Sequence, residues 1–260
     1  MAKKDQKIQI FYACDDGFVK FTIVSLFSMM QNASREHQYH IHVLHTNIEP
    51  ETEKRMLAMA DECFEISFDN VSGYLDDLCE RLPLRDYYSN TTYYRMFIAE
   101  MFPEIDKAIY IDSDTIVQGD ISEMYATDIK DYDVAACHEQ AMVQEDVYGT
   151  YVEKCLGLDR NRFFNAGIIL INCKSFRENK ILERFVKLLG VYDCRVTQDE
   201  DYLNILCADR VLFLPQTWNS EVFGEMIDSP ENCKIIHYIM VAKPWHFADC
   251  RLLTPRNHIS

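Results

Sequence analysis

Asp112 and Asp114 stand one residue apart at the end of an apolar run, Ala108-Ile109-Tyr110-Ile111. β-Branched and aromatic residues in such a run predict a buried strand, and side chains at i and i+2 of an extended chain project to the same side. Two carboxylates held that close repel unless a cation lies between them, so a hard divalent metal is one reading of the pair. Strand-end acids that cap a helix or bind solvent are the other. The carboxyl ends of strands in open α/β sheets are where ligands settle, which puts both acids at the mouth of a crevice.

Further residues with chemical reach are spread along the chain. Asn165-Ala166-Gly167 lies near the start of the most apolar stretch, Phe163 to Asn172, and sets an amide and a glycine where backbone can approach a ligand. Asp199, Glu200 and Asp201 open the segment Gln198 to Ala208, and an acidic first turn complements a helix dipole with or without a chemical role. Arg95 lies within Thr91 to Met101, which leads into the Ala108 strand, so its guanidinium is read either as solvated or as aimed at the crevice. His237 follows a short strand, where a lone histidine is either structural or a ligand. His40 and His42 alternate with Ile41 and Val43, with His45 following, which is the pattern of surface or strand-end residues rather than a metal cluster. The 10 cysteines include no Cys-x-x-Cys pair and are read as reduced, small core residues.

The frame that must position these groups is an α/β one. Lys7 to Cys14, Tyr39 to Leu44 and Cys63 to Phe68 are predicted strands, separated by predicted helices over Phe18 to Met30 and Glu49 to Ala60. That alternation opens a doubly wound sheet with right-handed crossovers. Asn70 to Asn90 reads as a loop with a short helix, and Thr91 to Met101 as a helix stopped by Pro103. Asp131 to Cys137 is a strand, and Ala141 to Asn161 is read as a mobile flap or a plain surface excursion. Phe176 to Leu189 is a predicted helix, and Val211 to Leu214 and Lys234 to His237 are short strands with a turn over Pro215 to Asn219 between them. The expected architecture is one domain over 7–247, a mixed, mostly parallel sheet flanked by helices, followed by a C-terminal tail, 248–260.

Composition sets limits. With 260 residues, 48% hydrophobic and 26% charged, the chain is an ordinary globular one, and its net charge of −16 argues against a nucleic-acid surface. Anionic ligands would therefore need local cations or a metal. The start, Met1 to Lys7, lacks the apolar core of a secretory signal, and no run reaches the roughly 18 apolar residues of a membrane span. The expectation is a cytoplasmic protein. Its end, Asp249 to Ser260, is too short for a clear amphipathic anchor, leaving at most weak peripheral association with the inner membrane face.

Taken together, six pieces in order resemble family 8 glycosyltransferases, retaining enzymes of the GT-A fold that use UDP-sugars. The pieces are Ala13-Cys14-Asp15-Asp16, Thr92-Tyr93-Tyr94-Arg95, Tyr110-Ile111-Asp112-Ser113-Asp114, Phe164-Asn165-Ala166-Gly167, Gln198-Asp199-Glu200-Asp201-Tyr202-Leu203-Asn204, and His237-Tyr238 with Lys243-Pro244-Trp245. The resemblance implies that Asp112, Asp114 and His237 bind Mn²⁺ (or Mg²⁺), which also holds the diphosphate of a UDP-hexose. It puts Ala13 and Asp15 at the uracil and ribose, Ser113 at the ribose, and Arg95 and Lys243 at phosphate or nearby acids. Asn165, Asp199 and Glu139 fall to the donor sugar, and Glu200, Asp199 and Lys243 to catalysis, on the way to a saccharide acceptor of cell-surface glycan type. Bacterial lipopolysaccharide galactosyl- and glucosyltransferases are the relatives it points to.

Three residues depart from that pattern. Gly17 stands where relatives often have asparagine, Met240 where they have a glycine, and Glu200 where bacterial relatives often have glutamine. A carboxylate at position 200 reads either as a nucleophile or as a charge that stabilises the reacting sugar. Two readings compete with the transferase. An apolar strand ending Asp-Ser-Asp-Thr also resembles the nucleophile motif of haloacid-dehalogenase-like, Mg²⁺-dependent phosphatases, but that motif normally ends the first strand of its domain, and it leaves His237 and Lys243-Pro244-Trp245 without a role. A non-catalytic UDP-sugar-binding or metal-binding protein is the other.

Overall fold

A computed structural model describes residues 7–75, 90–194, 196–222, 231–240 and 243–246. The 248–260 tail and most of the expected 70–90 loop lie outside the described residues. The chain winds β1 (Ile8–Ala13), α1 (Val19–Asn32), β2 (Tyr39–His45), α2 (Pro50–Leu57) and β3 (Phe64–Asn70), as the alternating pattern predicts. After a tight helical stretch come β4 (Ala108–Ile111), β5 (Thr115–Val117), β6 (Val134–His138), β7 (Phe164–Ile171), β8 (Val211–Phe213), β9 (Ser220–Glu221) and β10 (Ile235–His237).

Among the described residues seven strands form the main sheet in the order β3-β2-β1-β4-β7-β6-β8, and three form a small one, β5-β10-β9. In the main sheet β7 alone runs against its neighbours: it is antiparallel to both β4 and β6, while the β1–β2, β1–β4, β2–β3 and β6–β8 pairs are parallel. This is the mixed, mostly parallel sheet expected, and three strands precede the Asp112 strand in the chain.

The near-continuous apolar strands follow from coverage on both faces. Ile10, Tyr12, Ile109 and Ile111 pack on one side with Leu26 and Met29 of α1, while Phe11, Ala108 and Tyr110 pack on the other with Tyr93, Phe185 and Tyr202. No helix among the described residues is long and apolar enough to cross a membrane.

Several local expectations are revised. Thr91 to Met101 is not one α-helix but a 3₁₀ stretch, Asn90–Met96, followed by a single α turn, Ile98–Met101. Arg95 Nε bonds to the Thr92 carbonyl at 2.8 Å, competing for the acceptor that the next α turn would use. The expected helix over Phe176 to Leu189 is two, Cys173–Glu178 and Ile181–Leu189, broken where Lys180 turns left-handed (φ 53°) and Asn179 is tied to Asp133 at 2.8 Å. Nor is 141–161 a bare loop: short helices fill it, and Met142, Val152 and Phe163 anchor it in a cluster of their own. His42 is buried, stacked on Phe11 and bonded to Asp69 and Gln9, so it is not a surface residue, while His45, also buried, is the last residue of β2 and so a strand-end one. Seven of the eight described cysteines are buried and all are free, as core thiols should be.

Candidate active site

The topology brings the chemistry to one edge. The ends of β1, β4 and β6 and the start of the reversed strand β7 meet there, and β10 closes the group from the small sheet. Ala13, Arg95, Asp112, Ser113, Asp114, Glu139, Asn165, Asp199, Glu200, His237 and Lys243 all line one cleft. Asp15 is not among its lining residues; its carboxylate accepts from Phe18 N at 3.0 Å and shapes the turn into α1.

At the base of the cleft Asp112, Asp114 and His237 offer ligand atoms within 4.8 Å of one another. His237 Nε2 lies 3.3 Å from Asp114 Oδ1 and 3.8 Å from Asp112 Oδ2. Two carboxylates and an imidazole make a donor set suited to Mn²⁺, with Mg²⁺ favouring oxygen more strictly. The residues therefore fit the metal. Gly167 makes room for them: a Cβ there would stand 2.6 Å from Asp112 Oδ2 and closer still to His237 Cε1. The glycine is demanded by Asp112 and His237, not by backbone strain.

Each of these three side chains is held from behind. Tyr110 donates to Asp112 Oδ1 at 2.8 Å, and Arg95 reaches the same oxygen at 3.2 Å. Burial raises the Asp112 carboxyl against the pull of Arg95, and the Asp114 charge adds to the rise. Asp114 goes the other way: burial would raise it, but His237 and Lys243 outweigh that and hold it below the usual carboxylate range. Lys243 is buried, paired with Asp114 and bonded to the Tyr238 carbonyl at 2.6 Å. Trp245, two residues on, stacks on Phe21 of α1 at 4.0 Å and fixes the segment that delivers the lysine.

Arg95 is buried and engaged by protein groups. It bonds the carbonyls of Thr92 and Ala166, pairs with Asp112 and with Asp199 at 2.9 Å, and lies 4.4 Å over the Tyr110 ring. Of the two environments expected for it, phosphate or nearby acids, the structure shows the acids. Asp199 remains pushed up to about 7 because burial outweighs Arg95. Glu200 accepts from Ala166 N at 2.8 Å, and burial, then the charge of Glu139, raises its carboxyl well above the ordinary range. Its acidic neighbours are likewise buried, so the first turn of the helix Asp199–Cys207 faces the interior instead of neutralising an exposed dipole.

Asn165 joins the two halves of the site. Its amide nitrogen donates to Glu139, while its oxygen accepts from Gly167 N at 2.8 Å and from Asn219 Nδ2 at 2.7 Å. Asn219 Oδ1 then meets His237 Nδ1 at 3.0 Å. Sequence reading missed Asn219, Tyr110 and the steric need for Gly167; the turn expected over Pro215 to Asn219 carries no sign that Asn219 enters the site.

The comparisons agree with this geometry. The model of Glycosyl transferase family 8 matches residues 9–249, and the chain belongs to that family. A putative glycosyltransferase of Haemophilus influenzae is 28% identical over 93% of this chain and 74% of its own length. The lipopolysaccharide 1,3-galactosyltransferase of Salmonella typhimurium is 28% identical, with 92% of this chain and 73% of the relative covered. The crystal structure of the galactosyltransferase LgtC in complex with donor and acceptor sugar analogs superposes with a TM-score of 0.75 at 23% identity, covering 95% of this chain and 92% of that one. The fold is the GT-A glycosyltransferase fold.

Proposed function

We propose that the chain is a metal-dependent, retaining hexosyltransferase that moves galactose or glucose from a UDP-sugar to a saccharide acceptor of lipopolysaccharide or related cell-surface type. The observation that carries it is the Asp112–Asp114–His237 trio at the base of a cleft whose other wall holds Glu139, Asn165, Asp199 and Glu200. The relatives named for lipopolysaccharide galactosyl and glucosyl transfer support the substrate class. An acceptor of that kind implies work in the cytoplasm, at the inner membrane face.

In this reading Asp112, Asp114 and His237 would hold Mn²⁺, or Mg²⁺, which supplies positive charge to a diphosphate leaving group. Lys243, buried beside Asp114, adds a second cation there, and stabilising the charge of the leaving group is where such a site lowers the barrier most. Ala13 and Ser113 approach the nucleoside. Asp15 shapes the turn beneath it and is given the uracil. Arg95 orders Asp112 and Asp199 for their tasks. Asn165, Glu139 and Asp199 hold sugar hydroxyls. Glu200, fixed by Ala166 N, faces the developing charge of the sugar.

The test is donor turnover. UDP-glucose and UDP-galactose are incubated with Mn²⁺ and a panel of saccharides, and the anomeric configuration of the product is read by NMR. Chelation should abolish turnover and Mn²⁺ restore it; full activity in EDTA, or an inverted product, would refute the reading. Phosphatase chemistry is separated by the same assay, since it would release phosphate without sugar transfer.

A further inference from the structure

Glu221 has no part in the roles above. It is 1% exposed on β9, in register with His237 of β10, and is absent from the lining of the cleft. Its Oε2 accepts from Gln140 N at 3.0 Å, which sets its carboxyl beside that of Glu139. Glu139 has two further donors of its own, Ala141 N at 3.2 Å on Oε1 and the Asn165 amide on Oε2. Two carboxyls can bond to each other only if one keeps its proton, and an interior does not tolerate both as anions. The group with more N–H donors is the better-stabilised anion, so Glu139 carries the charge and Glu221 the proton. Glu221 Oε1 meets no N–H or O–H donor among the described residues, which leaves it able to carry that proton.

We propose that Glu221 is a positioning residue for Glu139: a buried carboxylic acid whose hydrogen bond fixes that carboxylate against Asn165 at the donor-sugar side of the cleft. The inference rests on the hexosyltransferase reading for its catalytic consequence, though not for the pairing itself. Through Asn165 and Asn219 the same polar chain runs on to His237, so a Glu139 that turned away would free the Asn165 amide and loosen two walls of the site together. Burial and the charges of Glu139 and Glu200 raise the Glu221 carboxyl well above its ordinary range, in keeping with a group that stays protonated.

The experiment has two arms on the full chain. In the infrared difference between the parent and Glu221→Gln at neutral pH, the pairing predicts loss of a carboxylic-acid carbonyl band; loss of carboxylate bands instead would overturn it. In kinetics, Glu221→Gln keeps a donor toward Glu139 and should stay within about 3-fold of the parent, while Glu221→Ala should lower kcat by about 10- to 100-fold with Mn²⁺–UDP affinity unchanged. Placed on a Glu139→Gln background, Glu221→Ala should add almost nothing. Equal damage from Gln and Ala, or additive losses with Glu139→Gln, would overturn the positioning role. If Glu221→Ala fails to fold, the infrared arm and Glu221→Gln still decide. A parent that shows the acid band but transfers no sugar refutes the functional reading and leaves the pairing standing.

Discussion

Asn219 Oδ1 sits 3.0 Å from His237 Nδ1, and that contact fixes which nitrogen of the ring faces the acids. The assignment follows from one backbone amide. Gly167 N can only donate, so Asn165 presents its oxygen; Asn219 must then turn its NH₂ to that oxygen and its own oxygen to His237. Ring nitrogen Nδ1 therefore donates to Asn219, and Nε2 is the nitrogen turned toward Asp114.

Removing that support should show first in metal affinity. Asn219→Ala should weaken Mn²⁺ binding by about 10- to 100-fold, read by calorimetry in the presence of UDP, with the melting temperature little changed. Undiminished affinity would mean that the tautomer is set elsewhere.

Gly167→Ala tests the crowding at the ligands. Its Cβ would stand 2.6 Å from Asp112 Oδ2, so carboxylate or imidazole must shift. Loss of Mn²⁺ affinity by about 100-fold or more is expected, with the sheet intact by circular dichroism. Wild-type binding by this variant would show that the ligands have slack.

Glu200→Gln distinguishes a charge from a nucleophile. The amide oxygen of glutamine can still accept from Ala166 N, so the fold should hold. Activity roughly 10- to 100-fold down is expected if the side chain stabilises developing charge. A fall of about 10⁴-fold, rescued by azide as a glycosyl azide, would make Glu200 the nucleophile instead.

Stability against pH carries the mark of Asp199. Folding takes its carboxyl from about 4 in the unfolded chain up to about 7, so between those values the folded state binds the extra proton. The contribution is therefore greatest at the acid end and is lost as pH rises through that window. Chemical denaturation of the metal-free protein between about pH 4 and pH 8 should show a steeper decline in the parent than in Asp199→Asn. Parallel curves would place the titration on another acid.

Much of this was legible in the sequence because it is local. The β4 run ending in Asp112, the β1–β3 alternation, the β7 stretch at Asn165 and the acidic start at Asp199 each announce themselves within ten residues. What stayed hidden is non-local. Nothing near His42 says that Phe11 and Asp69 will enclose it, and nothing near Arg95 says that it will bond to Ala166 and pair with Asp199. The 3₁₀ turn at Asn90–Met96 follows from that same tertiary demand on Arg95, which helical periodicity does not register. Strands β5 and β9, three and two residues long, were too short for any pattern to carry.

Those two short strands carry the ladder that ties down β10, and with it His237: three register pairs to β5 and two to β9. Asp112 and Asp114, by contrast, follow directly from the central strand of the main sheet. An ion gripped by all three would rivet the thinly sewn sheet onto the robust one. Occupancy by Mn²⁺ would then gauge assembly as well as chemistry, since the ion can be captured in full only after the last strand has come home. Amide exchange along Ile235–His237 should slow sharply when the metal is added and leave β1 and β2 unmoved.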